Sequence, residues 1–234
     1  METTDKVYLY GASGHAKVIL DMLVEKSITV PCLIDDNPSI NELAGIPVVH
    51  SAEGLFPIIV SIGDCRIRRR IVQKLSGHQF ISVIHRTAIV SKSCQVGDGT
   101  VVMAGAIIQP GTSIGNHCII NTGASVDHDA VIGDFVHVAP HCTLCGGVEV
   151  DEGTWIGAGT TVIQGIRIGR DCFIGAGSVV VKDIPDNSLC YGNPARIIRK
   201  INQNVDYKDF SSSIGGGKIV LYFIMSQEGF YYAA

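Results

Sequence analysis

The sequence predicts a small Rossmann-like α/β unit followed by a parallel β-helix of hexapeptide repeats, on three observations. Sixteen aliphatic residues recur every six positions from Val90 to Val180 without a break. The chain holds 31 Ile and 25 Val against 10 Leu, a bias toward side chains that are stiff at χ1 and favour strands. Gly, at 27 of 234 residues, exceeds its usual ~7%, and charged residues, at 17%, fall below the usual ~25%. A helical bundle is excluded, and turns should be frequent.

The first elements follow a βαβ order. KVYLY, Lys6 to Tyr10, reads as a short buried strand, and Gly11-Ala12-Ser13-Gly14-His15 opens an amphipathic helix carrying Val18, Ile19, Met22 and Leu23. PCLI is a second strand ending at Asp35-Asp36, and PIIVSIG, Pro57 to Gly63, is a third. RIRRRIVQKL is another helix and FISVI another strand, so residues 1–85 form a truncated parallel-sheet unit. The basic cluster Arg66 to Arg70 fits a solvated helix face, with a phosphate contact as the alternative. A Gly-rich turn at a helix N-terminus presents backbone N–H groups that suit a phosphate. Asp35 and Asp36, roughly 20 residues on, stand where carboxylates can accept ribose or base hydrogen bonds. A tight structural turn with ordinary surface aspartates is the competing reading. Because GxxG is shorter than GxGxxG and the unit is small, a mononucleotide fits better than a dinucleotide.

Residues 86–200 carry the repeat. The position four after each aliphatic residue is also selective, running Cys94, Thr100, Ala106, Thr112, Cys118, Ala124 and on to Ile184, all small or β-branched. Gly recurs just after the aliphatic residue, at 97, 115, 133, 157, 169 and 175, where it should tolerate the turn. Neither 2.0 nor 3.6 fits a six-residue period, whereas a β-helix coil does: one hexapeptide per face, about 18 residues per coil. A little over five coils stacked at ~4.8 Å make a prism roughly 25 Å tall. This register places Cys94, Cys118, Cys142 and Cys172 inward as compact hydrophobes. His137, His141, Cys142 and Cys145 look like a metal set but fall in different phases of the hexad, so no metal site is expected. Residues 201–234 depart from the pattern and form a tail to which no function is assigned.

A net charge of −4 gives no electrostatic footprint for nucleic acid. METTDK leads straight into the first strand without the layout of a signal peptide. The apolar run from Ile219 to Met225 is far short of the ~20 residues of a membrane helix. A soluble, cytoplasmic protein is expected, with no nucleic acid partner and no membrane insertion.

Inward positions of a β-helix are filled, so chemistry must use outward side chains. His128, two residues past the inward Val126, is flanked by Asp127 and Asp129. A carboxylate accepting from one imidazole nitrogen would fix the tautomer and raise the basicity of the other. Gly146 lies one coil away on the same face, where its backbone N–H could serve a group bound beside His128.

GASGHAKV, LIDD, VSIGDCRIRRRI, INTGASVDHDAVIGDFVHVAP, WIGAGTTV and YGNPARI together resemble the bacterial sugar acetyltransferases of the left-handed β-helix class. The nearest group is the nucleotide-sugar N-acetyltransferases of bacillosamine biosynthesis and their sialic-acid O-acetyltransferase relatives, over residues 6 to about 200. The resemblance implies left-handed winding, a homotrimer, and acetyl-CoA as co-substrate without a metal. It implies that His128 is the general base with Asp129 as its partner, an Asp where relatives often carry Glu. It assigns His137, Gly146, Ala158 and Ala176 to the coenzyme, and Ser13, Gly14, His15, Asp35, Asp36, Gly63 and Asn121 to a uridine-diphosphate sugar. The expected reaction is acetyl transfer to the 4-amino group of a UDP-4-amino-4,6-dideoxy sugar. The alternatives are O-acetylation of sialic acid or a related sugar, and a non-catalytic β-helix scaffold.

Overall fold

A computed structural model describes residues 5–201; the tail lies outside the described residues from position 202 onward. The N-terminal unit comprises β1 (Tyr8–Tyr10), α1 (Gly14–Glu25), β2 (Leu33–Ile34), β3 (Glu42–Leu43), β4 (Ile46–Val49), β5 (Ile58–Val60) and α2 (Cys65–Lys74). Its sheet runs β3-β4-β2-β1-β5, parallel except for the tight β3–β4 hairpin. β1, β2 and β5 are buried throughout, as expected of strands covered on both faces. α1 covers one face with Ala16, Ile19, Leu20, Met22 and Leu23, and α2 covers the other with Ile71.

The unit does not seal its own core. Val7, Leu9, Leu23 and Ile59 share one buried cluster with Val101, Met103 and Ile119 of the repeat region. FISVI divides between the two bodies, which corrects its assignment to the first sheet. Phe80 bridges Ile58 of β5, whereas Val83–Ile84 pairs with Val101–Val102 as the first strand of the solenoid. The solvated reading of the arginine cluster fits the exposed Arg70 but is corrected at two positions. Arg68 is buried, and Arg69 forms ion pairs with Glu152 and Asp171, both at 3.0 Å.

Each hexapeptide supplies one two-residue strand and one corner. The first face stacks Val83–Ile84, Val101–Val102, Ile119–Ile120, His137–Val138, Trp155–Ile156 and Phe173–Ile174. The second stacks strands from Ile89–Val90 through Ser125–Val126 to Val179–Val180, and the third from Gln95–Val96 to Arg167–Ile168. All three ladders are parallel with partners 18 residues apart, such as Ile119 with His137. Inward Ile and Val fill one continuous core together with Cys118, Cys142 and Cys172. Burial pushes those thiols up to about 12, about 12 and about 11, so they are neutral fillers.

The glycines after the aliphatic residues serve a purpose other than turning. The left-handed conformation falls two residues later, at Gly99, Gly105, Gly111 and Gly123 and equally at His117, Asp129, Phe135, His141 and Asp171. Gly157 instead permits close stacking of coils: a Cβ there would lie 2.6 Å from the backbone N of Ala176. The β-helix also stops short of residue 200. Strand Ser188–Gly192 stacks on Phe173–Ile174 and turns back through an antiparallel pairing with Ala195–Lys200, closing the end as a hairpin.

Candidate active site

Two regions gather polar chemistry. One is a pocket of about 130 Å³ where the N-terminal unit meets the first face and the corner after it. The Gly11–His15 turn supplies Gly14 and His15, the loop after β5 supplies Gly63, and the solenoid supplies Asn121, His137, Trp155, Ala158 and Ala176. His137 occupies an outward position on the first face, yet the docked unit covers it to 5% exposure. Its Nδ1 lies 3.1 Å from the carbonyl oxygen of Gly63 and its Nε2 lies 3.1 Å from Asn121 Nδ2. Because a carbonyl only accepts, the proton sits on Nδ1, and Nε2 accepts from the amide. Trp155 packs against the same ring, 4.4 Å between centroids.

Burial, with the nearby Arg68 guanidinium adding to it, pushes His15 down to about 3 and holds His137 well below the usual histidine range. Both rings are therefore neutral at ordinary pH. The His15 ring lies 6.5 Å from that of His137, and its Nε2 is buried without a hydrogen-bond partner among the described residues. A ligand oxygen or N–H could satisfy it.

The second region is the corner between the second and third faces. His128 projects outward there, and its Nδ1 is 2.9 Å from Asp129 Oδ2. The hydrogen bond to Asp129, then the charge of Asp127, raises the imidazole above its ordinary value. Asp127 also accepts the backbone N–H of His128 at 2.8 Å, which fixes the turn. Glycines one coil to either side make room for the pair. A Cβ at Gly146 would lie 2.6 Å from both Cε1 and Nε2 of His128, and one at Gly111 would strike the Asp129 carboxylate.

Of the residues expected at a site, Gly14, His15, Gly63, Asn121, His137, Ala158 and Ala176 converge in the pocket. Asp35 and Asp36 lie beyond its wall. Asp35 accepts the N–H of Ala12 at 2.8 Å and so braces the Gly-rich turn. Asp36 holds Tyr10 Oη at 2.8 Å and Lys74 Nζ at 2.7 Å. Ser13 stands at the N-terminus of α1 without a side-chain capping bond. His128, Asp129 and Gly146 occupy a different corner, so one chain does not bring them into the pocket. Sequence reasoning missed Arg68, Gly111 and Trp155. Trp155 was detectable as the one tryptophan at an outward repeat position; nothing in the sequence distinguished Arg68 from its neighbours.

Residues 6–75 match the PglD N-terminal domain family, and residues 93–128 and 147–182 match the bacterial transferase hexapeptide (six repeats) family. A mutant perosamine N-acetyltransferase from Caulobacter crescentus, solved with CoA and GDP-perosamine, is 40% identical, with a TM-score of 0.80 over 83% of this chain and 97% of its own. The chain belongs to the acetyl-CoA-dependent nucleotide-sugar N-acetyltransferases of the left-handed β-helix class. The chain is also 35% identical to the acetyltransferase domain of PglB from Neisseria gonorrhoeae FA1090, solved with acetyl coenzyme A. There the TM-score is 0.76, covering 83% of this chain and 100% of that one. UDP-N-acetylbacillosamine N-acetyltransferase from Bacillus subtilis (strain 168) is 42% identical over 110 residues, 42% of this chain and 51% of that protein. The chain thus spans about half the length, or less, of the curated relatives it matches.

Proposed function

We propose that this enzyme transfers acetyl from acetyl-CoA to the 4-amino group of a UDP-linked 4-amino-4,6-dideoxy sugar, with His128 as general base. The observation that carries the reading is the outward imidazole held by Asp129 over a glycine. With its proton fixed on Nδ1, the ring offers Nε2 to the acceptor amine. The amine nitrogen attacks the thioester carbonyl as Nε2 takes its proton; the C–S bond then breaks and the proton passes to the departing sulfur. The backbone N–H of Gly146, beside the ring, supports the developing oxyanion. Ala158 and Ala176, whose small side chains line the pocket, leave room for the pantetheine arm.

Residues 1–85 serve the nucleotide sugar through Ser13, Gly14, His15, Asp35, Asp36 and Gly63, and residues 86–200 carry the transfer. Because the pocket and His128 sit on separate corners, a complete site takes one corner from each of two neighbours in a homotrimer. Among the described residues no helix is long and apolar enough to cross a membrane, and the location proposed is the cytoplasm. A GDP-linked acceptor is the second reading, favoured by the relative solved with GDP-perosamine. Thiol release from acetyl-CoA distinguishes the two when UDP- and GDP-linked 4-amino sugars, free amino sugars and sialic acid are compared. Fastest release with the UDP-linked amine is expected. Preference for sialic acid would replace the reading with O-acetylation, and no release with any acceptor would defeat it.

A further inference from the structure

Arg68 is 1% exposed, and a buried guanidinium is costly unless its donors are filled. Its Nη1 donates to the carbonyls of Ile62 and Gly63 at 2.8 and 2.7 Å. Nε donates to the carbonyl of His117 at 2.8 Å, and Nη2 donates to that of Phe135 at 2.7 Å. The nearby Asp64 does not share in this: its Oδ1 caps α2 by accepting the N–H groups of Arg66 and Ile67. Two of the four carbonyls belong to the loop after β5 and two to solenoid corners, so one cation ties the nucleotide-side unit to the repeat.

The Gly63 carbonyl is shared. It accepts from Arg68 and also from His137 Nδ1–H. With Nδ1 protonated, His137 Nε2 accepts from the Asn121 amide, whose Oδ1 in turn accepts the N–H of Thr122 at 2.8 Å. These two partners fix the amide in one of its two flips. Among the described residues, one of its two N–H bonds remains uncommitted at the wall of the pocket.

We propose that Arg68 is the positioning residue of the acyl-donor pocket. By fixing the Gly63 carbonyl it sets the tautomer and tilt of His137, and through Nε2 the flip of Asn121. The pocket then keeps one amide N–H as a donor for a carbonyl oxygen. The kinetic side of this inference rests on the acetyltransferase reading; the structural side does not.

The test uses the full chain with ¹⁵N-labelled histidine. Wild type should show His137 as the Nδ1–H tautomer alone. Arg68→Lys keeps the charge but cannot reach four carbonyls, and should give exchanging tautomers at His137 in a protein whose melting is still cooperative. Its kcat should fall at least ~10-fold, since ~1 Å of misplacement can cost ~10²-fold. In an Asn121→Ala background the same change should cost under about 2-fold more, because both act along one path. An unaltered His137 tautomer in folded Arg68→Lys overturns the proposal, and so do additive losses in the double variant. Should wild type release no thiol at all, the functional reading falls while the tautomer spectra still decide the role of Arg68.

Discussion

Asp129 has a backbone φ of 58°, in the left-handed region that Asn and Asp tolerate better than other L-residues. That twist swings a carboxylate one methylene shorter than Glu back to 2.9 Å from His128. Replacing His128 by Ala should lower turnover at least ~10²-fold without loss of fold, because the side chain supports no core. Near-normal turnover by the folded variant would remove the general-base role. A base works only when unprotonated, and the Asp129 bond raises this imidazole, so kcat/KM should rise with pH through a value above ~6.5. Asp129→Asn should move that rise to lower pH and lower the plateau. An unshifted profile would make Asp129 a bystander.

The hexapeptide obeys two separate demands for glycine. Gly165 has φ +69° with open space around it, so its constraint is backbone conformation. Gly157 has no such φ, but a Cβ there would meet Ala176 N and Ile174 O at 2.6 Å, backbone atoms of the next coil. Gly157→Ala should therefore destabilise by about 1–3 kcal/mol through overpacking. Gly165→Asn should cost less, since Asn adopts the left-handed region readily. Urea unfolding of the two variants provides the comparison; equal losses would mean that stacking distance is not what limits position 157.

Docking of the N-terminal unit on the solenoid buries His117 and His137 to 7% and 5% exposure. Burial first, then Arg68, pushes His117 down to about 4 and His137 well below its usual range. Above pH ~6.5 both are neutral folded and unfolded, and their stability contribution is complete. Below ~6.5 the unfolded chain takes up protons that the folded state refuses, so stability falls by up to about 1.4 kcal/mol per pH unit for each group. The loss from His117 levels off near its folded value of about 4. Melting temperature should drop between about pH 6.5 and 4.5, and less steeply in His117→Asn. A flat profile would show that the junction does not hold these rings neutral. At the same scale, a shared cleft predicts complementation. His128→Ala and Ala158→Trp, each inactive, should recover roughly one site in four when unfolded and refolded together, because each side of a cleft is independently intact half the time. Proven mixed trimers without recovery would place both defects on one side of the cleft.

The solenoid was legible in the sequence because stacking forces the same demand on every eighteenth residue, and three faces multiply it into a period of six. His128 and Asp129 were legible as a pair because they are neighbours in the chain and their phase points outward. The Gly-rich turn showed itself by local composition. The pocket left no comparable trace. His137 meets Gly63 across 74 positions and Arg68 meets Phe135 across 67, and FISVI parts between two sheets. Such contacts depend on how one folded body rests on another. An arginine that fills two local carbonyls and two distant ones looks, in the sequence, like the arginines beside it. Period and polarity along the chain determined the coils and the turns; only the docking of the α/β unit on the first face decided which polar groups are buried together.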